Sequence, residues 1–271
     1  MKTLPFETYK LNGAGNIFLF IDAREGGAFY RWESTQKKSR VEMTRTLCSL
    51  NHLAADGLIF LRHHADPSQG LVWDFYNADG SGAEMCGNAA RCAGAFAQEI
   101  SIAPLPFNLE TKAGTVSIQM KEDGRWAVAM PAIQERPQQR TLEVNGKSYQ
   151  GSLVNSGVPH FVLPVSSFDE VDLQVCRSLR THPDLGPAGA NVTLLEGSKA
   201  KTYERGVENY TAACGTGAVA AALVMSQGRT GSFQVTMPGG ELEVQLGGAR
   251  PILIGPAFIT AKIEIPQETF A

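Results

Sequence analysis

Two stretches of the chain decide its fold, CGNAARCAGAFA at 86–97 and CGTGAVAAALVM at 214–225. In each, a Cys-Gly pair opens an alanine-rich run with helical character, so Cys86 and Cys214 stand at the junction between a loop and a helix start. The unpaired N–H groups and the dipole of a helix N-terminus lower a thiol pKa below about 8.5 and also attract a carboxylate. Gly87, Gly215 and Gly217 leave the backbone uncovered there, so that a ligand can approach it. One such cysteine would read as a small buried hydrophobe. Two matched copies point to a pair of reactive thiols. Cys48, Cys92 and Cys176 each lie inside an apolar helical pattern and read as packing.

Around these helices most of the map is strand. Short apolar or alternating runs between turn signals predict strands at Ile17–Ile21, Leu58–Leu61, Leu71–Tyr76, Val116–Met120, Trp126–Met130, His160–Val165 and Asn191–Leu195. Helices are predicted at Val41–Leu50, Val171–Leu179 and from the two cysteines to Gln98 and Met225. The polar, proline-bearing segment PAIQERPQQR at Pro131–Arg140 has no periodicity and reads as a linker between two halves of similar length. Each half then carries one Cys-Gly helix after a similar series of strands, the mark of an internal repeat.

Composition narrows the function classes. With 271 residues, 43% of them hydrophobic, the chain can bury one large or two medium cores. Lys and Arg number 24 against 27 Asp and Glu, with no basic run, which argues against nucleic acid and membrane surfaces and leaves a small molecule as the expected partner. No leader-like or membrane-spanning run is found, and five irregularly spaced cysteines fit a reduced, cytoplasmic protein. The cysteines lack zinc-site spacing, and Gly13-Ala14-Gly15 precedes a strand instead of following one, so neither a metal nor a dinucleotide is expected.

Six motifs in order, GAGN (Gly13–Asn16), NADGS (Asn77–Ser81) running into MCGN (Met85–Asn88), PH (Pro159–His160), ERGV (Glu204–Val207), ACGTGA (Ala213–Ala218) and MPGG (Met237–Gly240), carry a resemblance. From Gly13 to about Pro256 the chain resembles the diaminopimelate epimerase family. The resemblance implies an α+β fold of two pseudo-symmetric domains, each a mixed sheet wrapped around a central helix, with the active site in the cleft between them. The domains are expected at 1–130 and 131–257, with a final strand of about 258–271 returning to the first. It implies that Cys86 and Cys214 are the catalytic acid/base thiols and that no cofactor or metal takes part. Asn16, Asn77, Asn191, Glu204 and Arg205 fall where the family holds the substrate's ammonium and carboxylate groups, and Gly87, Asn88, Gly215 and Thr216 where backbone N–H groups hold the reacting carboxylate. A homodimer is expected on the same ground.

The implied activity is interconversion of LL- and meso-diaminopimelate for lysine and peptidoglycan synthesis. Racemisation of another amino acid, such as histidine or hydroxyproline, and a non-catalytic amino-acid-binding homologue are the alternatives. Four positions depart from the family pattern: Ile17 for Asp after GAGN, Ala89 for Gly after CGN, Val158 for Asn before PH, and Tyr210 for Glu ahead of ACGTGA. The Val158 side chain cannot hydrogen-bond to a substrate. His160 reads as a hydrogen-bonded structural histidine, and His160, Val158 and Tyr210 are expected near the substrate or behind the residues that touch it. From local sequence alone, Asn77 and Asp79 could equally form a turn, and Glu204 and Arg205 a solvated pair.

Overall fold

The first strand, β1 (Thr3–Gly13), turns into β2 (Asn16–Asp22) through Ala14 and Gly15, whose φ angles of 52° and 90° are the left-handed pair that a two-residue hairpin requires. The computed structural model describes residues 2–270, and the chain divides into one unit of Met1–Val128 with Pro256–Ala271 and another of Ala129–Gly255.

In the first unit β2 runs parallel to β3 (Gly57–His63) after a crossover through the helices α1 (Ala28–Glu33) and α2 (Arg40–Ser49). A capping box at Ser39 and Glu42 starts α2. Next come antiparallel β4 (Leu71–Asn77), the central helix α3 (Gly87–Glu99), and a meander of β5 (Phe107–Thr111), β6 (Gly114–Met120) and β7 (Trp126–Ala129), with β5 parallel to β4.

The second unit repeats that order. An antiparallel pair, β8 (Glu135–Val144) and β9 (Lys147–Asn155), leads to β10 (Pro159–Pro164), which crosses through α4 (Leu173–Arg180) to parallel β11 (Asn191–Glu196). Antiparallel β12 (Lys199–Glu204) and a two-residue strand β13 (Asn209–Tyr210) precede the central helix α5 (Gly215–Ser226). Then β14 (Gly231–Met237), parallel to β12 at Lys199 and Thr236, meanders into β15 (Gly240–Leu246) and β16 (Ile252–Gly255). The last strand, β17 (Phe258–Pro266), returns to the first unit and pairs antiparallel with β1, as β8 does with β9.

Both central helices are buried nearly all round: 10 of the 13 residues of α3 and 9 of the 12 of α5 are buried. Their alanines and glycines let strands close in from several sides, with β1, β2, β6 and β17 against α3 and β10, β11, β12, β14 and β15 against α5. The crossover helices cover the opposite sheet faces. Alternate residues of β2 therefore divide between two cores, Phe20 against Phe96 of α3 and Leu19 and Ile21 in the cluster with Phe29, Met43 and Leu47. With both faces covered, the strand reads as a continuous apolar run.

The linker expected at Pro131–Arg140 is corrected, because β8 begins at Glu135. Its first seven residues are exposed and the pairing slips between Glu135 and Gln138, around Pro137, so no burial alternation marks it as strand.

Candidate active site

In the first unit Cys86 is the N-cap of α3 and half-buried, in the extended conformation (φ −141°, ψ 122°) that turns a loop into a helix. The β1–β2 hairpin lies hard against this helix start: a Cβ at Gly13 would fall 2.7 Å from the Asn88 carbonyl oxygen and 2.9 Å from Cys92 Sγ. That approach brings Asn16 to Asn88. Arg91 Nη2 donates to Asn88 Oδ1 at 2.8 Å, Asn88 Nδ2 to Asn16 Oδ1 at 2.6 Å, and Asn16 Nδ2 to Asp56 Oδ2 at 2.9 Å. Asp56 Oδ2 also accepts from the Ile17 N–H at 2.9 Å. A guanidinium can only donate and a carboxylate can only accept, so the two ends of this chain fix the orientation of both amides.

Asn77 lies in the turn after β4, where it donates from Nδ2 to Ser81 Oγ at 3.0 Å and Asp79 Oδ1 accepts from the Ser81 N–H at 2.8 Å. Both residues thus form the turn that local sequence allows.

In the second unit Cys214 is the N-cap of α5, and its Sγ accepts from the Gly217 N–H at 3.4 Å. Strand alternation sends Phe161, Leu163, Val192, Leu194 and Tyr203 to the α4 side and leaves His160, Thr193 and Thr202 on the α5 side. His160 is inaccessible, and burial pulls its imidazole down to about 3, so the ring is neutral. Its tautomer follows from its neighbours. Asn191 Oδ1 accepts from the Arg205 backbone N–H at 2.8 Å, which makes Asn191 Nδ2 the donor to His160 Nε2 at 3.3 Å. The proton is then on Nδ1 and goes to Thr193 Oγ1 at 2.9 Å, and Thr193 lies 3.1 Å from Thr202 Oγ1. Thr216 Oγ1 donates to Nε2 at 3.0 Å, and its oxygen lies 3.4 Å from Cys214 Sγ. His160 is thus linked to the cysteine through one hydroxyl.

Val158 sits in the turn before β10, which is tied to the start of α5: Ser156 Oγ donates to the Thr216 carbonyl at 2.8 Å, and the Ser156 N–H to the Val158 carbonyl at 3.3 Å. Glu204, at the end of β12, accepts from the Thr211 hydroxyl, and the Arg205 side chain is exposed beside the Ala188 carbonyl at 3.4 Å. Tyr210 lies on the other face of the sheet. It pairs with Tyr203 across the strands and so faces the α4 side, where its hydroxyl meets Cys176 Sγ at 3.2 Å and Lys201 Nζ lies 3.9 Å from its ring centre. Burial pushes the thiols of Cys48, Cys92 and Cys176 up, Cys48 to about 12, so all three stay protonated.

Sequence reasoning passed over Asp56, Arg91, Ser156, Thr193 and Thr202. Arg91 alone had a signal, a single cation inside the small apolar run of α3. Among the described residues no group of three His, Cys, Asp or Glu side chains is placed to hold a metal, and no helix is long and apolar enough to cross a membrane.

Comparison with known proteins agrees with this architecture. The diaminopimelate epimerase from Aquifex aeolicus is 39% identical over 228 residues, 80% of each chain, and that from Methanothrix thermoacetophila is 35% identical over 97% of this chain and 96% of its own. The fold is shared with a hydroxyproline epimerase from Agrobacterium vitis (TM-score 0.66, 17% identity, 97% of this chain and 92% of that one). It is shared too with a phenazine biosynthesis PhzF-family protein from Enterococcus faecalis (0.67, 15%, 96% and 98%). The family model for diaminopimelate epimerase matches residues 8–134 and 152–257, and the chain belongs to that family.

Proposed function

We propose that the protein interconverts LL- and meso-diaminopimelate, with Cys86 and Cys214 as its two acid/base groups. The observation that carries this reading is the repeat itself: two units of the same strand order, each with a cysteine as N-cap of its central helix, in a chain of this family.

The chemistry requires a pair. One cysteine as thiolate takes the α-hydrogen as a proton and becomes S–H, while the C–H electron pair passes into the substrate carboxylate. The other cysteine, as thiol, delivers its proton to the opposite face and is left as thiolate, so charge balances and the roles exchange in reverse. An α-proton is too weakly acidic for a thiolate in water, so donors must stand where the carboxylate gathers charge. The backbone N–H groups of Gly87, Asn88, Gly215 and Thr216, in the first turns of α3 and α5, suit that task. Asn16, Asn77, Asn191, Glu204 and Arg205 are assigned to the substrate's remaining ammonium and carboxylate groups. No cofactor has a role in this scheme. The place of the reaction in lysine and peptidoglycan synthesis, a cytoplasmic location and a homodimer complete the proposal.

The test is incubation of the purified protein with LL-diaminopimelate in deuterated water. Meso product carrying α-deuterium is expected, and Cys86→Ala and Cys214→Ala should each lose about 10²-fold or more of the rate while keeping the fold. Near-normal turnover by either variant refutes the two-base scheme. Exchange with a different amino acid only would reassign the substrate, and binding without exchange would make the protein a binder.

A further inference from the structure

We propose that Arg91 is a positioning residue for the reaction, a buried cation that holds Cys86 as a thiolate and orders the Asn88–Asn16 amides beside it. The proposal rests on the reading of Cys86 as an acid/base group. Arg91 is completely inaccessible, the largest of the fully buried side chains among the described residues. Although it stands in the second turn of α3, its side chain reaches back toward the N-terminus, with Nη1 3.5 Å from the Gly87 carbonyl and Nη2 2.8 Å from Asn88 Oδ1. Its Nε is 3.4 Å from the Pro256 carbonyl, where the chain returns to this unit.

Every one of these acceptors is a neutral oxygen. A guanidinium so placed is disfavoured twice, once by burial without a carboxylate and once by a positive charge at the positive end of a helix. The contacts to Asn88 and the Pro256 carbonyl need a donor there, but a neutral donor would meet both without the charge. An anion at the helix start reverses the balance, and the residue there is Cys86.

The surrounding charges leave few other candidates. Burial pulls Arg91 down to about 10, and the groups whose negative charge would act against that are Cys92 and Cys86. Cys92 is itself driven well above the ordinary thiol range by burial and stays protonated. Of the elements packed on α3, β6 carries no titratable residue and Asp22 of β2 pairs with Arg24. Tyr9 of β1, with Glu7 and Lys262 around it, packs on Phe96 toward the far end of the helix. Near Cys86 there remain Asp56 at the other end of the amide chain, the exposed Glu84, and Lys112, whose ammonium lies against Gly82.

The experiment is alkylation of the purified protein by iodoacetamide between pH 5 and 10, with the Cys86 and Cys214 peptides quantified separately by mass spectrometry. In the wild type the Cys86 midpoint should lie below the ordinary thiol value of about 8.5. Arg91→Met should raise it by about one unit or more and leave Cys214 unmoved, and Arg91→Lys should fall between. The acidic limb of the kcat/KM profile should move with the Cys86 midpoint. A folded Arg91→Met protein with lower stability but an unchanged Cys86 midpoint would assign Arg91 to packing and overturn the proposal. Should that variant not fold, a wild-type Cys86 midpoint at or above 8.5 overturns it equally. Alkylation needs no turnover, so failure here is separable from failure of the proposed activity, which the α-deuterium assay reads.

Discussion

Gly217→Ala tests whether Cys214, the second of the two proposed acid/base cysteines, depends on a helix start that no side chain crowds. A Cβ at Gly217 would lie 2.5 Å from Thr202 Oγ1, 3.2 Å from Cys214 Cβ and 3.3 Å from Cys214 Sγ. Ordinary contact begins at 3.4 Å, so the helix start and β12 must part by about 0.9 Å, with the thiol crowded from the same side. Stability should change little, because overpacking costs about 1–3 kcal/mol and replacing glycine by alanine within a helix returns about 1 kcal/mol. A shift approaching 1 Å in a catalytic group costs on the order of 10²-fold in rate. We therefore expect kcat for LL-to-meso conversion, followed by α-deuterium incorporation, to fall about 100-fold while the melting temperature drops by only a few degrees. Adding Thr202→Ala removes the hydroxyl that the new Cβ meets and should restore about tenfold of the loss. Wild-type kcat in Gly217→Ala, or no rescue by Thr202→Ala, would show that the α5 start does not set the position of the thiol.

His160 is held neutral with a folded pKa of about 3 against 6.5 for the free side chain, so its contribution to stability is complete above pH 6.5 and declines as pH falls toward 3. Urea denaturation should show the wild type losing about 1.4 kcal/mol per pH unit through that window relative to His160→Gln, and parallel curves for the two proteins would contradict it. At Val158, the change to Asn adds a donor and acceptor in the turn tied to α5, and it should lower the KM for diaminopimelate about two- to tenfold with kcat unchanged. A higher KM for that substrate would mean that Val158 packs against an apolar group, and the substrate would need to be reassigned.

What the amino-acid order determined by itself is local. The starts of α3 and α5 were legible because a cysteine, a glycine and a run of alanines are consecutive, and so were β2, β3, β4 and β11, whose apolar runs need no knowledge of partners. Only the tertiary structure decided whether a polar segment was strand or linker. The first seven residues of β8 are exposed, and their pairing with β9 leaves no trace in hydropathy. It alone joined Asn88 to Asn16, 72 positions away, and Asn16 to Asp56, 40 away, since hydrogen bonds between side chains follow distance in space and not order in the chain. Tyr210 turned toward α4, away from α5, because it shares a face with Tyr203, a matter of register between strands. The protonated nitrogen of His160 was likewise settled by a backbone N–H that occupies the oxygen of Asn191. Arg91 joins the two levels: its oddity is visible in the sequence, but that its guanidinium turns back to the cysteine end of α3 depends on side-chain direction and burial, which only the packed helix supplies.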